Sequence, residues 1–188
     1  MPILAKEQDL HPRDLLDRYL TDDLDGHRWW ALYTLSRREK DLMRRLQAMD
    51  IAYYSPTISQ RHRSPTGRIR ISYVPLFANY VFLCGSDFHR YEALTTNCVS
   101  RVITVTEGWQ LAEDLKQIQQ LIELGHPLTP EARLQEGTRV RVRSGPFLGL
   151  EGTVIRRENA TRLLVAVRFT QQGASVVLEN CQLERLDP

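Results

Sequence analysis

The run Gly145-Pro146-Phe147-Leu148-Gly149-Leu150-Glu151-Gly152 follows Arg139-Val140-Arg141-Val142-Arg143, in which charged and apolar side chains strictly alternate. Alternation at a period of two is the mark of a strand with one face buried. The glycines that come next have either of two uses: positive φ, or close approach of another backbone where a Cβ would clash. Pro146 fixes its own φ, so the corner is stiff, while Phe147 and Leu148 supply apolar surface. This is a turn specification and not a catalytic one, because the run lacks the Lys-Ser/Thr ending of a phosphate-binding loop.

The residues after the corner complete a small β module. Thr153-Val154-Ile155, then Leu163, Val165, Val167 and Phe169, then Ser175 to Leu178, and finally Leu183 make about five short strands with Val140 and Val142, separated by turn residues such as Gln171-Gln172-Gly173. Five short strands with glycine corners bury one core by closing into an SH3-like barrel, expected over residues 136–188. Gly125-His126-Pro127-Leu128-Thr129-Pro130 carries no periodicity, so residues 126–135 are expected to be a linker.

The first half alternates element types. Trp29 to Leu35 is aromatic and aliphatic and reads as a central strand. Leu42, Leu46 and Met49, with Met43 alongside, define the buried face of a helix from about Arg37 to Met49, whose other face carries Arg38, Lys40, Arg44 and Arg45. Tyr53 to Ser59 and Ile69 to Val74 alternate like two strands joined by a basic loop, Arg61 to Arg68, able to reach along a nucleic-acid backbone. A strand from Tyr80 to Cys84 precedes a helix marked by Phe88, Tyr91 and Leu94. A short strand containing Val99, Val102 and Val105 follows, then a helix with Leu111, Leu115, Ile118 and Ile122 that stops at Gly125. The order implies an α+β module over residues 28–125, with helices against a mainly antiparallel sheet. Residues 1–27 hold a short amphipathic helix, Leu10 to Leu20, read as a loosely docked acidic extension, or alternatively as a clip across the basic surface.

Charge narrows the function. The net charge is only +2, but residues 1–27 carry three Lys/Arg against seven Asp/Glu, whereas residues 51–86 carry Arg61, Arg63, Arg68 and Arg70 and no acid. A cationic field on one module is the footprint of phosphate contact. Cys84, Cys98 and Cys181 have no C-x-x-C spacing, and the five histidines are isolated, so no metal site, cofactor or nucleophile couple is indicated and the chain does not read as an enzyme. No stretch approaches the apolar length of a membrane span and Met1 to Leu10 lacks a signal-peptide core, so a cytoplasmic location is expected.

Two segments carry a resemblance. Arg28-Trp29-Trp30-Ala31-Leu32-Tyr33 and Pro75-Leu76-Phe77-Ala78-Asn79-Tyr80-Val81-Phe82-Leu83, followed by the glycine corner, resemble the NGN domain and KOW motif of the NusG family of transcription elongation factors, over roughly residues 28–188. Phe77-Ala78-Asn79-Tyr80 stands where the family usually reads Phe-Pro-Gly-Tyr. Asparagine in the glycine place is the wording of RfaH-like specialised paralogues. The resemblance implies an NGN-type α/β sandwich followed by a KOW barrel with Gly145, Phe147, Gly149 and Gly152 at its turn. It implies that Trp30, Tyr33, Phe77, Tyr80, Phe82 and Val105 contact the clamp helices of bacterial RNA polymerase. It further implies that Lys40, Arg44, Arg45, Thr95, Thr96 and Asn97 lie near upstream or non-template DNA, and that the barrel recruits Rho or a small-subunit ribosomal protein. A monomer that suppresses pausing or termination is the resulting expectation. The alternative is a ribosome-associated KOW protein holding RNA through Arg139, Arg141, Arg143, Arg156 and Arg157.

Overall fold

The computed structural model describes residues 6–21, 26–65 and 67–186. The chain folds into two compact units, Met1–Gly108 and Trp109–Pro188. Each is a mixture of antiparallel strands and helices, the second dominated by strands.

In the first unit the elements run β1 (Leu10–His11), α1 (Leu15–Leu20), β2 (Arg28–Thr34), α2 (Glu39–Ala48), β3 (Tyr53–Tyr54), β4 (Thr57–Arg63), β5 (Ile69–Pro75), β6 (Tyr80–Gly85), α3 (Asp87–Thr95) and β7 (Val99–Thr104). The main sheet has the order β1-β3-β6-β2-β7, antiparallel throughout, and β4 pairs with β5 in a separate hairpin. The expected strand from Tyr53 to Ser59 is thus two strands. Pro56 has no N–H to give a ladder, and the chain leaves the main sheet there.

One face of the main sheet packs on α2. Trp30, Leu32, Val81, Leu83 and Tyr53 form a core with Leu42, Met43 and Leu46 of α2, with Ile51, and with Ala93 of α3. Burying side chains of this size is the main stabilising term, about 1.5–3 kcal/mol each. Helix α2 stops because Asp50 takes φ +56°, which lets the Ile51 amide donate to the Leu46 carbonyl at 2.9 Å and brings the buried Ile51 back onto the helix. Met49, expected on the buried face, lies beyond the last turn and is partly exposed.

The spacing of Phe88, Tyr91 and Leu94 identifies α3 correctly but not which way it faces. Phe88 and Tyr91 are both 64% exposed, and the buried residue is the small Ala93. Ser86 and His89 close a reciprocal capping box at its start.

The amino-terminal segment is an integral part of this unit. β1 extends the sheet edge by pairing Leu10 with Tyr54 and His11 with Tyr53. Asp9 accepts from the Thr57 hydroxyl at 2.6 Å and its amide at 3.1 Å, and the Tyr53 hydroxyl donates to the Gln8 carbonyl at 2.7 Å. Leu15 and Leu16 are fully buried, and Tyr19 packs edge-on against Trp29 at 5.5 Å. The reading of a loosely docked extension is corrected: the helical spacing of its leucines marks a face that the domain buries. Residues 22–25 of that segment lie outside the described residues.

The second unit contains α4 (Gly108–Glu123, its first residue counted with the first unit), β8 (Thr129–Glu131), β9 (Thr138–Val142), β10 (Glu151–Arg157), β11 (Ala160–Val167), β12 (Gln172–Val177) and β13 (Leu183–Arg185). Its six strands take the antiparallel order β13-β9-β10-β11-β12-β8 around Val140, Val142, Phe147, Leu150, Ile155, Leu163, Val165, Val167 and Val176. The contacts of helix α4 group it with the second unit. Its polar side chains tie it there. Asp114, nearly buried, receives the Arg168 guanidinium at 2.8 Å and the Arg168 amide at 2.9 Å, and the Gln117 carboxamide oxygen accepts from the Glu151 amide at 2.8 Å.

The expected linker is not wholly unpaired chain. Its middle, β8, pairs with β12, and its Glu131 carboxylate is buried where it accepts from Ser175 at 2.6 Å and from Arg157 at 2.8 Å. Pro130 is tolerated because β8 is an edge strand.

Candidate functional site

Strand register decides which aromatic side chains share a surface. β2 pairs with β6 so that Ala31 faces Phe82 and Tyr33 faces Tyr80, while Trp30 faces Leu83. Cross-strand partners project to the same side, and neighbours along a strand to opposite sides. Tyr33, Tyr80 and Phe82 therefore lie on one face, and Trp30 on the other with α2. The expectation that Trp30 flanks Tyr80 and Phe82 is corrected. Its ring is in the core and lies 5.2 Å beneath the Arg90 guanidinium of α3.

The remaining aromatics form a connected row. Tyr33 meets Tyr80 edge-on at 5.2 Å, Tyr80 stacks on Phe82 at 6.2 Å, and Phe77 meets Phe82 edge-on at 6.2 Å. Phe77 and Phe82 are buried and support the surface, Val105 is buried with its amide donating to the Trp29 carbonyl at 3.3 Å, and Tyr33 and Tyr80, half-buried, are the reachable part. Arg101, which sequence reasoning missed, lies over the Tyr33 ring at 4.8 Å. Its signal was faint: one arginine in a short β-branched run.

The turn before β6 explains the variant motif. Asn79 has φ +65°, a left-handed conformation that glycine adopts freely and asparagine tolerates better than other residues. The Asn79 amide donates to the buried Glu39 carboxylate at 2.8 Å, its carbonyl accepts from Thr34 at 2.8 Å, and the Tyr80 amide returns to the Phe77 carbonyl at 3.1 Å. Ala78 in the proline place is offset by these bonds, which tie the turn to β2 and α2.

The residues expected near DNA lie on α2 and in the turn after α3. Cys98 Sγ lies 3.4 Å from Asp41, which joins the Thr95–Asn97 turn to α2. Asp41 also receives Arg45 at 3.2 Å and Arg38 at 3.0 Å, and Arg45 above all holds its carboxyl below the usual value of 3.8. Burial, then the Asp41 carboxylate, push the Cys98 thiol up. Arg44 pairs with Glu7 of the amino-terminal segment at 3.3 Å, in keeping with the clip reading of that segment. Lys40 has no ion pair among the described residues. Thr95 and Asn97 are exposed, but Thr96 is buried: its hydroxyl donates to Ala93 at 2.6 Å and accepts from the Cys98 amide, a turn role rather than a surface one.

The glycine corner uses both properties for which glycine is chosen. Gly145 and Gly149 have φ of +91° and +88°, whereas at Gly152 a Cβ would sit 2.4 Å from the Leu164 carbonyl oxygen. Phe147 is buried and meets His126 edge-on at 4.9 Å, leaving Leu148 exposed. Among the described residues no group of three or more His, Cys, Asp or Glu is placed to hold a metal, and no helix is long and apolar enough to cross a membrane.

Comparison with known proteins bears on this arrangement. No curated protein matches the sequence. Among solved structures, "Domain interaction in Thermotoga maritima NusG" is similar at 18% identity and a TM-score of 0.42, over 86% of this chain and 98% of that one. "Crystal Structure of MjSpt4:Spt5 complex conformation B" is similar at 16% identity and a TM-score of 0.28, over 85% and 99%. The family described as "Transcription termination factor nusG" matches residues 27–130, more than half of the sequence, from just before β2 to β8. The chain belongs to the NusG family of non-enzymatic transcription elongation factors.

Proposed function

We propose that the chain is a specialised, RfaH-like member of its family that binds bacterial RNA polymerase through the Tyr33–Tyr80–Phe82 row and suppresses pausing or termination. The row supports this reading because its half-buried phenols rest on buried Phe77 and Phe82. Rigid aromatic groups with polar tips are suited to gripping a partner helix at low entropic cost. The polymerase clamp helices are that partner. Lys40, Arg44, Arg45, Thr95 and Asn97 hold upstream or non-template DNA, with Arg44 exchanging Glu7 for a phosphate. Engaging both favours the closed polymerase by differential affinity for that state.

The strand-rich domain recruits a second factor, Rho or a small-subunit ribosomal protein, which carriage on the same chain brings to the polymerase. The ribosomal RNA-binding alternative is less well supported. Arg141 pairs with Glu151, Arg143 with Glu184 and Arg157 with Glu131, so three of the five arginines that it invokes are already matched by a carboxylate, while Arg139 and Arg156 stay exposed. The test is co-elution of the full-length protein with bacterial core RNA polymerase, beside a Tyr80→Ala variant of unchanged circular dichroism. Co-elution of the wild type that is lost in the variant is expected. No co-elution of the wild type refutes the reading.

A further inference from the structure

Arg101 is a cation without a counterion among the described residues. It sits on β7, the outer strand of the main sheet, directly across from Tyr33. Its guanidinium lies 4.8 Å over the Tyr33 ring, and the side chain is exposed. The three strands that form this face, β7, β2 and β6, contain no Asp or Glu. The main sheet therefore presents Arg101, Tyr33 and Tyr80 side by side, with the guanidinium held over an aromatic ring.

Stacking fixes the plane of a guanidinium while leaving its donors available, and the arginine fork matches a carboxylate in a planar, two-bond geometry. A solvated arginine needs neither an aromatic platform nor an acid-free surround. We infer that Arg101 is a specificity-determining residue of the docking face, and that the partner element seated on Tyr33 and Tyr80 is a helix bearing an Asp or Glu beside its apolar contact residues. This rests on the polymerase-binding reading above and adds the chemistry of the partner. An apolar side chain of that helix packs on the two phenols, and the carboxylate, three or four residues away on the same side, reaches Arg101. The pair gives the interface its register, since a helix turned or slid by one position meets the cation with an apolar group.

The test measures the affinity of the full-length protein for bacterial core RNA polymerase, at low and at physiological salt. The variants are Arg101→Met, which keeps bulk over Tyr33, Arg101→Lys, Arg101→Glu and Tyr80→Ala, each matched to wild type in thermal melting. A short DNA duplex serves as a second probe. The expected result is a loss of about tenfold for Arg101→Met and about a hundredfold for Arg101→Glu, with partial recovery in Arg101→Lys. Salt should weaken the wild type more than Arg101→Met, and duplex binding should be the same in all.

If Tyr80→Ala weakens polymerase binding while the Arg101 variants bind as wild type, the inference fails and the docking reading stands. If none of the variants weakens binding, both fail. If Arg101→Glu loses the DNA duplex but keeps polymerase, the inference is overturned in favour of a phosphate contact.

Discussion

Replacing Gly152 by alanine tests the reasoning about the glycine corner. The added Cβ would lie 2.4 Å from the Leu164 carbonyl oxygen, 3.0 Å from Leu163 Cδ1 and 3.1 Å from the Leu164 carbonyl carbon. A relaxed carbon–oxygen contact is near 3.2 Å or more, so β10 and β11 must separate by about 0.8 Å at the point where Thr153 pairs with Leu164. Both flanking residues of β11, Leu163 and Val165, are fully buried, so the displacement cannot be taken up at a surface. Overpacking of this kind costs about 1–3 kcal/mol, and stretched ladder hydrogen bonds add about 1 kcal/mol. With a urea slope of about 1 kcal/mol per molar for a unit of this size, the unfolding midpoint should fall by about 2–4 M, enough to unfold a marginal unit. Gly149→Ala is the control, since its φ is +88° but nothing lies within 4 Å of the new methyl, so backbone strain alone should cost about 1–2 kcal/mol. The assay is urea unfolding of the full chain followed by circular dichroism. Equal midpoints for Gly152→Ala and wild type, or a larger loss at Gly149 than at Gly152, would refute the close-approach argument.

Leu16→Ala should destabilise the first unit by about 2–5 kcal/mol, seen in the tryptophan fluorescence transition of a Trp109→Phe background that leaves Trp29 and Trp30 as reporters, because the leucine is fully buried there. No change would mean that the amino-terminal helix is not part of the core. Alkylation of the native protein at pH 8, mapped by mass spectrometry, should modify Cys181 first, since burial pushes the Cys84 thiol to about 12 and raises that of Cys98. Equal labelling of all three would contradict the burial. The Asp41 carboxyl, held below 3.8 in the folded chain chiefly by Arg45, contributes stability above that value and loses it as pH falls through its lower folded-state pKa. The difference in melting temperature between wild type and Asp41→Asn should therefore be present at pH 7 and shrink as the pH falls below 3.8. A difference independent of pH would assign the effect to packing.

Periodicity within an element is legible in the sequence, and relations between elements are less so. Leu42, Met43 and Leu46 predict the buried face of α2, and the alternation of Arg139 to Arg143 predicts β9, because each depends only on local geometry. The sequence alone puts Trp30 on the wrong face because parity along a strand does not carry across to its neighbour. The face is set by register, and Tyr33 pairing with Tyr80 puts odd positions of β2 beside even positions of β6. Phe88 and Tyr91 have the spacing of a buried face but lie on the outside of α3, which reaches the core through Ala93. β1 and β8 are two and three residues long, too short to show a pattern, and are held by partners distant in sequence. The turn role of Thr96 and the stacked position of Arg101 depend likewise on long-range pairing.

The strand order β1-β3-β6-β2-β7 also has a consequence in time. The central pair joins β2 to β6, with α2, β3, β4 and β5 between them in the chain, and the outer strand β1 waits for β3. At about 5–20 residues per second, a ribosome exposes the apolar β2 for several seconds before its first neighbour in the sheet emerges. During that interval α2 is the available cover for Trp30 and Leu32. A substitution that weakens α2 should therefore lower the yield of folded protein made at the ribosome more than it lowers the equilibrium stability of protein already folded.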